Sequence, residues 1–226
     1  MSNLEILYED NHIIVVFKPV NILSQSDITG DMDMLTIIKE YIKEKYHKPG
    51  NVYLGLVHRL DRVTSGVMVF AKTSKAASRL SEEIRNNRLK KDYFAIIHGK
   101  INNRGVYEDY LLKKDDFSTV VDKNGKLAKL SYELLEYKDK KDLSLVDVHL
   151  ETGRHHQIRV QFSSRGYPLI GDKRYGNDEY NELGLCAYKL SFTHPVTKEV
   201  MTFIRLPKGS IWDLFNMKGK NYGKEK

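Results

Sequence analysis

The sequence predicts an α+β fold built on a mixed or antiparallel sheet, and two observations support this. Segments with strand character occur in runs and do not alternate strictly with helical segments, which is typical of α+β proteins. No composition break, Pro/Ser-rich linker or internal repeat divides the chain. We therefore expect one domain over residues 1–217, followed by a basic, glycine-bearing tail, 218–226, that frays.

The first elements are a hairpin and a helix. Residues 4–18 read as two strands around an Asp10-Asn11 turn, and the following Pro19 ends the second strand. Residues 23–33 are polar and rich in turn formers, which predicts a loop. A helix is then expected up to Pro49-Gly50, because apolar residues recur at helical spacing. These residues are Leu35, Ile38, Tyr41, Ile42 and Tyr46.

The centre of the chain contains a short apolar strand, 67–71, and a second helix. Ser74 can cap this helix, whose apolar face carries Ala76, Ala77, Leu80 and Ile84. Charged residues, among them Glu83, occupy its other face. The remaining sequence is rich in strand signals, at 93–98, 106–112, 130–135, 143–150, 185–192 and 199–206. Short helices are expected around 155–164 and around 208–216, where Trp212 lies.

Composition restricts the class of protein. Lys and Arg together number 37 against 30 Asp and Glu, which gives a net charge of +7 and makes a polyanionic partner plausible. Cys186 is the only cysteine, so neither an intramolecular disulfide nor a multi-cysteine metal site can form. No signal peptide and no apolar run long enough to span a bilayer is present. We therefore expect a cytoplasmic protein with no membrane partner.

Asp61 is the residue that most needs an explanation. It lies between Arg59 and Arg62, directly before the apolar strand, and buried charges are costly unless they are paired. The residues leave two interpretations open. In the first, Asp61 is structural, either as an N-cap or as the partner of one of the arginines in an ion pair. In the second, it is an ionised carboxylate that the turn at 64–66 presents to a cleft. In the second case it can act as a nucleophile or a base.

A second cluster of polar residues covers 151–160. If a helix begins just after Gly153, His155 and Arg159 lie one turn apart on one face, with Ile158 towards the core. A solvated basic helix explains the spacing equally well. Zinc is not predicted: adjacent histidines point apart on a helix, and neither a thiolate nor a His-Glu-x-x-His pattern is present.

A third cluster interleaves cations and aromatics over residues 85–94. This arrangement suits phosphate contacts beside base stacking. Tyr93, which opens a strand, also fits a core position. The polar turn at 171–176 lacks the further glycines and the Lys-Ser/Thr ending of a phosphate loop, which disfavours nucleoside triphosphate binding.

These blocks, in this order, resemble the RluA-type pseudouridine synthases. The stretch 58–66 (HRLDRVTSG) looks like the catalytic motif of that family, and 152–159 (TGRHHQIR) is similar to its later basic motif. Lys91-x-Tyr93-x-Ala95 resembles the segment with the active-site tyrosine, 171–176 a following block, and Lys18-Pro19 an early block. The resemblance covers roughly residues 5–206.

The resemblance implies a role for each matching residue. Asp61 would attack either the uracil ring or the ribose anomeric carbon, Arg159 would pair with Asp61, and Tyr93 would stack on the target uracil. Arg59 would help to extrude the nucleotide or fill the space that it leaves, and Ile158 would line the pocket; the base must leave the stack to react. The residues expected to bind the substrate or RNA are Arg59, His58, Arg62, Thr64, Arg154, His156, Gln157 and Ile158.

The resemblance also implies the remaining properties. They are a mixed, mainly antiparallel central sheet with flanking helices and a central active-site cleft, an RNA substrate (rRNA or tRNA), no metal or other cofactor, and a monomer. No room is expected for an N-terminal RNA-binding domain. Departures from the family pattern are Asn21 in place of a glycine, His155 in place of a small hydroxyl residue and Gln161 in place of a histidine.

Two other functions compete with an RNA pseudouridine synthase. A catalytically silent RNA-binding or ribosome-assembly factor would use the same basic cleft without needing Asp61. A glycosidic-bond hydrolase would usually need a second carboxylate as acid, which no motif clearly supplies. The target RNA, the position and number of its uridines and the point of attack do not follow from the sequence.

Overall fold

The computed structural model describes residues 4–114, 118–177, 179–215 and 217. In chain order the elements are β1 (Glu5–Glu9), β2 (Ile13–Lys18), α1 (Met34–Lys45), β3 (Gly55–Leu56), β4 (Ser65–Ala71), α2 (Ser74–Arg85), β5 (Lys90–His98), β6 (Arg104–Lys113), β7 (Thr119–Val121), β8 (Lys126–Lys138), β9 (Leu143–Leu150), α3 (Gln157–Ser163), β10 (Leu185–Thr193) and β11 (Val200–Ile204). They confirm the predicted α+β class.

The chain divides into two compact units. Unit 1 comprises Met1–Leu89 and Lys189–Arg205, and unit 2 comprises Lys90–Tyr188 and Leu206–Lys226. Strand β10 therefore begins in unit 2 and ends in unit 1. The expectation of one domain over 1–217 stays a prediction, because compactness alone does not decide whether the units fold together.

Unit 1 begins with the predicted hairpin. Strands β1 and β2 are antiparallel, with Ile6 opposite Val16. The carboxylate of Asp10 closes the turn, because its Oδ1 accepts hydrogen bonds from the backbone N–H of His12 and Ile13, both at 2.7 Å. Strand β2 then pairs with β4, every residue of which is buried. This burial on both faces explains why the sequence of β4 is continuously apolar and does not alternate.

Helix α1 matches its prediction closely. It begins after Asp33, whose side chain accepts a hydrogen bond from Thr36 N, and it ends at Tyr46, before Pro49. The buried apolar side chains of α1 begin at Met34, one residue earlier than expected.

Helix α2 departs from its prediction at two points. The N-cap is Thr73, whose hydroxyl accepts a hydrogen bond from Ala76 N, and Ser74 is already the first helical residue. Glu83, expected on the solvated face, is buried; it accepts hydrogen bonds from Arg88 Nε (2.7 Å) and Thr193 N (3.3 Å). The expected apolar face of α2 packs against β2 and β4 in one core cluster.

Unit 2 contains an antiparallel sheet in the order β5-β9-β8-β6-β7. Helix α3 packs on one face of it, where Phe162 contacts the rings of Tyr107 and Tyr132. On β5 and β10, Phe94 and Tyr188 stack at 3.7 Å between ring centroids. The strand signals in the sequence did not predict the short strands β3 and β7, and they predicted only about half the length of β8.

The end of the described chain does not contain the second short helix that was expected. Residues 210–214 form turns, and Trp212 is buried. Cys186 is also fully buried, within β10. No helix in the described part of the chain is long and apolar enough to cross a membrane.

Candidate active site

Buried side chains fix the loop between β3 and β4 that carries Asp61. Ser24 Oγ accepts a hydrogen bond from Leu60 N (3.1 Å) and donates one to Leu60 O (2.7 Å). The ring of His58 is buried and accepts a hydrogen bond from Val69 N in β4 through Nε2, at 3.1 Å. This burial favours a structural role for His58 over the predicted RNA contact.

Lys18 holds the same loop from the other side. The residue is fully buried, and its Nζ donates to the carbonyl oxygens of Pro19 (2.9 Å), Ile22 (2.6 Å) and Arg62 (3.1 Å). Burial lowers the pKa of Lys18 to about 7, although the negative charge of Asp61 acts in the opposite direction. Lys18 therefore connects the Lys-Pro block to the loop of Asp61, a role that the sequence analysis did not assign.

Asn21 completes this connection. Its backbone N donates to Arg62 O at 2.8 Å, and its φ is 64°. Residues other than glycine rarely adopt this conformation, but asparagine tolerates it better than most. The replacement of the family glycine by Asn21 is therefore compatible with the turn.

The two arginines beside Asp61 do not pair with it. Arg62 Nη1 lies 2.7 Å from Asp31 Oδ2, and Arg59 is exposed. Among residues 4–114, 118–177, 179–215 and 217, neither forms an ion pair with Asp61. Arg62 is thus engaged by Asp31, and the role of Asp61 stays a prediction.

The other end of the loop is tightly packed. Thr64 N donates to Asp61 O at 3.0 Å, which closes a turn before β4. The side chain of Thr64 is buried, and its hydroxyl has no hydrogen-bond partner within the described residues. Asp61 itself is half-buried, so the loop holds its carboxylate at the surface of a rigid backbone.

In unit 2, Tyr93 lies on β5 opposite Val148 of β9 and is buried. Phe94, the next residue, points to the other face and stacks on Tyr188. Both interpretations of Tyr93 thus stay compatible with its position, because a buried ring on a sheet can also form the wall of a binding site.

The segment before α3 differs from the expected helix. His156 has a φ of 53° and forms the N-cap, so α3 begins at Gln157. His155 is therefore outside the helix, and the predicted one-turn spacing between His155 and Arg159 is wrong. The rings of His155 and His156 stack, with 3.7 Å between centroids, so the argument that adjacent histidines point apart does not apply here.

Gln157 organises the turn that precedes α3. Its Oε1 accepts hydrogen bonds from Thr152 Oγ1 (2.8 Å) and Arg154 N (3.0 Å), and its Nε2 donates to Lys129 O (3.1 Å). The guanidinium of Arg154 is exposed, and its Nε donates to Leu127 O. Gln157 is buried, so its position favours a structural role, whereas the exposed Arg154 fits the predicted RNA contact.

Arg159 forms a buried bidentate pair with Asp172. Its Nε and Nη2 each lie 2.7 Å from one carboxylate oxygen, and Asp172 also accepts hydrogen bonds from the backbone N of Arg174 and Tyr175. Burial alone would raise the pKa of Asp172, but Arg159 and these N–H groups lower it below its usual value. The neighbouring Ile158 is buried, as expected for a pocket wall.

Tyr175 links this ion pair to the histidines. The Arg159 guanidinium lies 5.1 Å from the centroid of its ring. Its hydroxyl accepts a hydrogen bond from Thr119 N (2.9 Å) and bonds to His156 Nδ1 (2.7 Å), while Thr119 Oγ1 bonds to His155 Nδ1 (2.7 Å). Burial raises the pKa of Tyr175. Asp172, Tyr175 and Thr119 were not predicted as site residues; the 171–176 block was the available signal for the first two.

The predicted site residues thus fall into two groups. Unit 1 holds His58, Arg59, Asp61, Arg62 and Thr64, and unit 2 holds Tyr93, Arg154, His156, Gln157, Ile158 and Arg159. The predicted pairing of Asp61 with Arg159 joins the two groups and stays a prediction. No cluster of three or more His, Cys, Asp or Glu side chains within the described residues is arranged to hold a metal ion.

Comparisons with known proteins agree with the resemblance. The family model for RNA pseudouridylate synthases matches residues 12–164. An uncharacterized RNA pseudouridine synthase of Bacillus subtilis is 35% identical over 206 residues, which cover 88% of this chain and 67% of the relative. The ribosomal large subunit pseudouridine synthase C of Vibrio vulnificus is 33% identical over 215 residues, covering 90% of this chain and 65% of the relative. The chain thus spans about two thirds of these relatives.

A solved structure shows the same fold. Human RNA pseudouridylate synthase domain containing 4 aligns with a TM-score of 0.76 at 24% sequence identity, over 90% of this chain and 89% of the human chain.

Proposed function

Because the chain belongs to the RNA pseudouridylate synthase family, we propose that Asp61 is the carboxylate with which it converts uridine to pseudouridine. The protein is an RNA pseudouridine synthase, an isomerase. The proposal concerns the residues that carry the reaction, the kind of RNA and the assembly state.

The observation that carries the assignment is the support of the Asp61 loop. Lys18, Ser24 and His58 hydrogen-bond to backbone atoms of this loop or of β4, while the adjacent Arg62 is engaged by Asp31. A fixed backbone reduces the reorganisation that a nucleophile needs to reach its reactive geometry.

The reaction requires no external reagent. The bond between ribose C1′ and uracil N1 breaks, the ring turns, and a bond forms between C1′ and C5; C5 loses a proton and N1 gains one. Atoms and electrons balance within the nucleotide. Asp61 would form a transient bond either to the ribose or to the uracil ring, and Tyr93 would stack on the ring and help to remove the C5 proton.

The remaining residues would bind and position the RNA. The exposed Arg59, Arg62 and Arg154 can contact phosphates, and Arg59 would occupy the space that the flipped nucleotide leaves. Arg159, held by Asp172, would orient Asp61. The substrate would be rRNA or tRNA in the cytoplasm, and the enzyme would work as a monomer without a metal or other cofactor.

The experiment is to map pseudouridines in the RNA of a strain that lacks this protein and is complemented with the wild type or with Asp61→Asn. We expect at least one site to be lost in the deletion strain, restored by the wild type and not by the variant. Restoration by both would disprove the role of Asp61. Release of free uracil would indicate a glycosidic-bond hydrolase. If the deletion strain kept all its pseudouridine sites after its paralogues were also removed, the protein would be a silent RNA binder.

A further inference from the structure

Lys91 lies beside Tyr93 on the same face of the sheet of unit 2. On β5, Lys91 is opposite Leu150 and Tyr93 is opposite Val148 of β9. Side chains two residues apart on a strand point to the same face, about 6.6 Å apart along the strand. A nucleotide whose base stacks on Tyr93 would therefore bring its sugar-phosphate part within reach of Lys91.

The ammonium group of Lys91 borders an open space. A Cβ added to Gly153 would lie 3.6 Å from Lys91 Nζ, and no other heavy atom is within 4 Å of that point apart from the residues that flank Gly153. Because position 153 has no side chain, a small group can approach the ammonium from this side. Burial lowers the pKa of Lys91.

Within the described residues, Lys91 has neither an ion pair nor a hydrogen bond from its ammonium. The neighbouring lysine differs: Lys90 is exposed on the opposite face of β5. Enclosing a charge without a partner is unfavourable, and a bound anion would remove that cost. Lys91 is half-buried, so the free protein has a partly desolvated cation whose compensating charge is not supplied by the described chain.

The polar wall next to this space is preorganised. Gln157 holds the turn at Thr152 and Arg154 through its side-chain amide, and Gly153 lies between these two residues. The position of the turn relative to Lys91 is therefore set before any ligand binds, which lowers the entropic cost of binding.

We propose that Lys91 binds a backbone phosphate of the RNA nucleotide whose base stacks on Tyr93, in the space beside Gly153. The inference rests on the proposed function, because Tyr93 is what brings a nucleotide to this face. A carbonyl oxygen of the uracil ring is the rival partner for the ammonium. The two differ in outcome: a phosphate contact acts on binding, and a uracil contact would act on the chemical step.

The test measures RNA affinity by fluorescence anisotropy with a labelled twelve-nucleotide oligouridylate at several potassium chloride concentrations. The proteins are the full-length wild type, Lys91→Met, Lys91→Arg and the control Lys140→Met, an exposed lysine before Leu143, which pairs with the end of β5 opposite to Lys91. We expect Lys91→Met to weaken binding about tenfold and to reduce the slope of log Kd against log salt by about 0.7, the loss of one phosphate contact on a single strand. Lys91→Arg should restore most of the affinity, and Lys140→Met should bind like the wild type.

A double-mutant cycle with Gly153→Ala tests the location. The added methyl group would be in ordinary contact with Lys91 Nζ, so the protein should fold while the space becomes smaller. We expect Gly153→Ala to weaken binding in the wild-type background and to have little further effect in Lys91→Met, because both changes affect the same contact. Additive losses would overturn the proposed location.

The remaining outcomes also decide the proposal. Unchanged affinity of Lys91→Met, or an equal loss in Lys140→Met, would overturn it. The proposal would also fail if Lys91→Met lowered the saturating rate of pseudouridine formation while its RNA affinity stayed unchanged. The substrate for this rate is total RNA from the deletion strain. That result would assign Lys91 to the uracil ring. Asp61→Asn should bind the oligouridylate normally; if it still formed pseudouridine, the proposed function would fail separately from the Lys91 site.

Discussion

Lys18 and Arg159 are both buried cations, and the protein compensates their charges in different ways. Lys18 is surrounded by three backbone carbonyl oxygens, which are dipoles, whereas Arg159 faces a full carboxylate, Asp172. Burial lowers the pKa of Lys18 to about 7, and the carbonyl dipoles do not offset this loss of hydration. The two residues should therefore respond differently to pH and to substitution.

The stability of the protein should depend on pH through Lys18. Its folded pKa, about 7, lies below the ordinary value of 10.5, so between these values the unfolded chain binds more protons and stability rises with pH. In Lys18→Met this contribution is absent, while the carbonyl groups lose their donor, which costs about 1–3 kcal/mol. Urea denaturation should therefore show that Lys18→Met has a lower free energy of unfolding than the wild type. This difference should grow between pH 7 and pH 9.5. A deficit that shrinks over this range would contradict the assignment.

Replacement of Arg159 by alanine should reduce turnover much more than RNA affinity, because its proposed partner is Asp61 and not a phosphate. We expect a loss of at least 100-fold in the rate at saturating RNA, which corresponds to about 2.7 kcal/mol, with a change in Kd of less than about threefold. Single-turnover kinetics and binding titrations separate the two quantities. Equal losses in both would make Arg159 an ordinary phosphate contact.

Asp172→Asn provides the matched test of orientation. The amide keeps the shape of Asp172 but removes the charge that holds Arg159, so Arg159 remains present but less well fixed. We expect an intermediate loss of turnover and a loss of stability of about 3 kcal/mol, as for other buried pairs that lose one partner. A variant with full activity would show that this pair does not orient the reaction.

A hydrogen-bond network of Thr119, His155, His156 and Tyr175 attaches β7 to the N-terminal end of α3. Thr119 of β7 is buried and bonds to both His155 and Tyr175. Thr119→Val keeps the backbone bond to Tyr175 and removes the hydroxyl bond to His155. We expect faster amide hydrogen exchange in β7 and a stability loss of about 1 kcal/mol. Thr202→Val, which removes a hydroxyl pair exposed on β11, is the control and should leave exchange in β7 unchanged.

Helices α1 and α3 show how far the sequence could be interpreted. Helix α1 was predicted well because its apolar spacing and its stop signal at Pro49-Gly50 are local. The start of α3 was misplaced because it depends on the left-handed conformation of His156 and on Gln157 bonding to Lys129, which is distant in the chain. The expected helix at 208–216 failed for a related reason, since Trp212 is buried from turns and needs no helical face.

The site shows the same limit. Asp61, Tyr93 and Arg159 could be predicted as site residues because their motifs are contiguous, whereas Lys18 reaches Arg62 across 44 positions. The partner of Arg159 is only 13 positions away, yet it was missed because the 171–176 block matched the family without a role attached to Asp172. Contiguous motifs thus indicate candidate reacting groups, while the groups that hold them in place depend on tertiary contacts.

For the whole molecule, the net charge of +7 and the exposed arginines fit an enzyme that binds RNA. We expect a monomer of 26 kDa in size-exclusion chromatography with light scattering, and an activity that is proportional to protein concentration from nanomolar to micromolar. A rise in specific activity with concentration would indicate that an oligomer is the active form.

The burial of Cys186 has a practical consequence for spectroscopy. It is the only cysteine, it is fully buried, and a thiol enclosed in this way reacts slowly with maleimides. Cysteines introduced at exposed positions, such as Lys75 of unit 1 and Lys123 of unit 2, can thus be labelled selectively with a donor and an acceptor dye. Energy transfer between them would report directly on whether the two units change their separation when RNA binds.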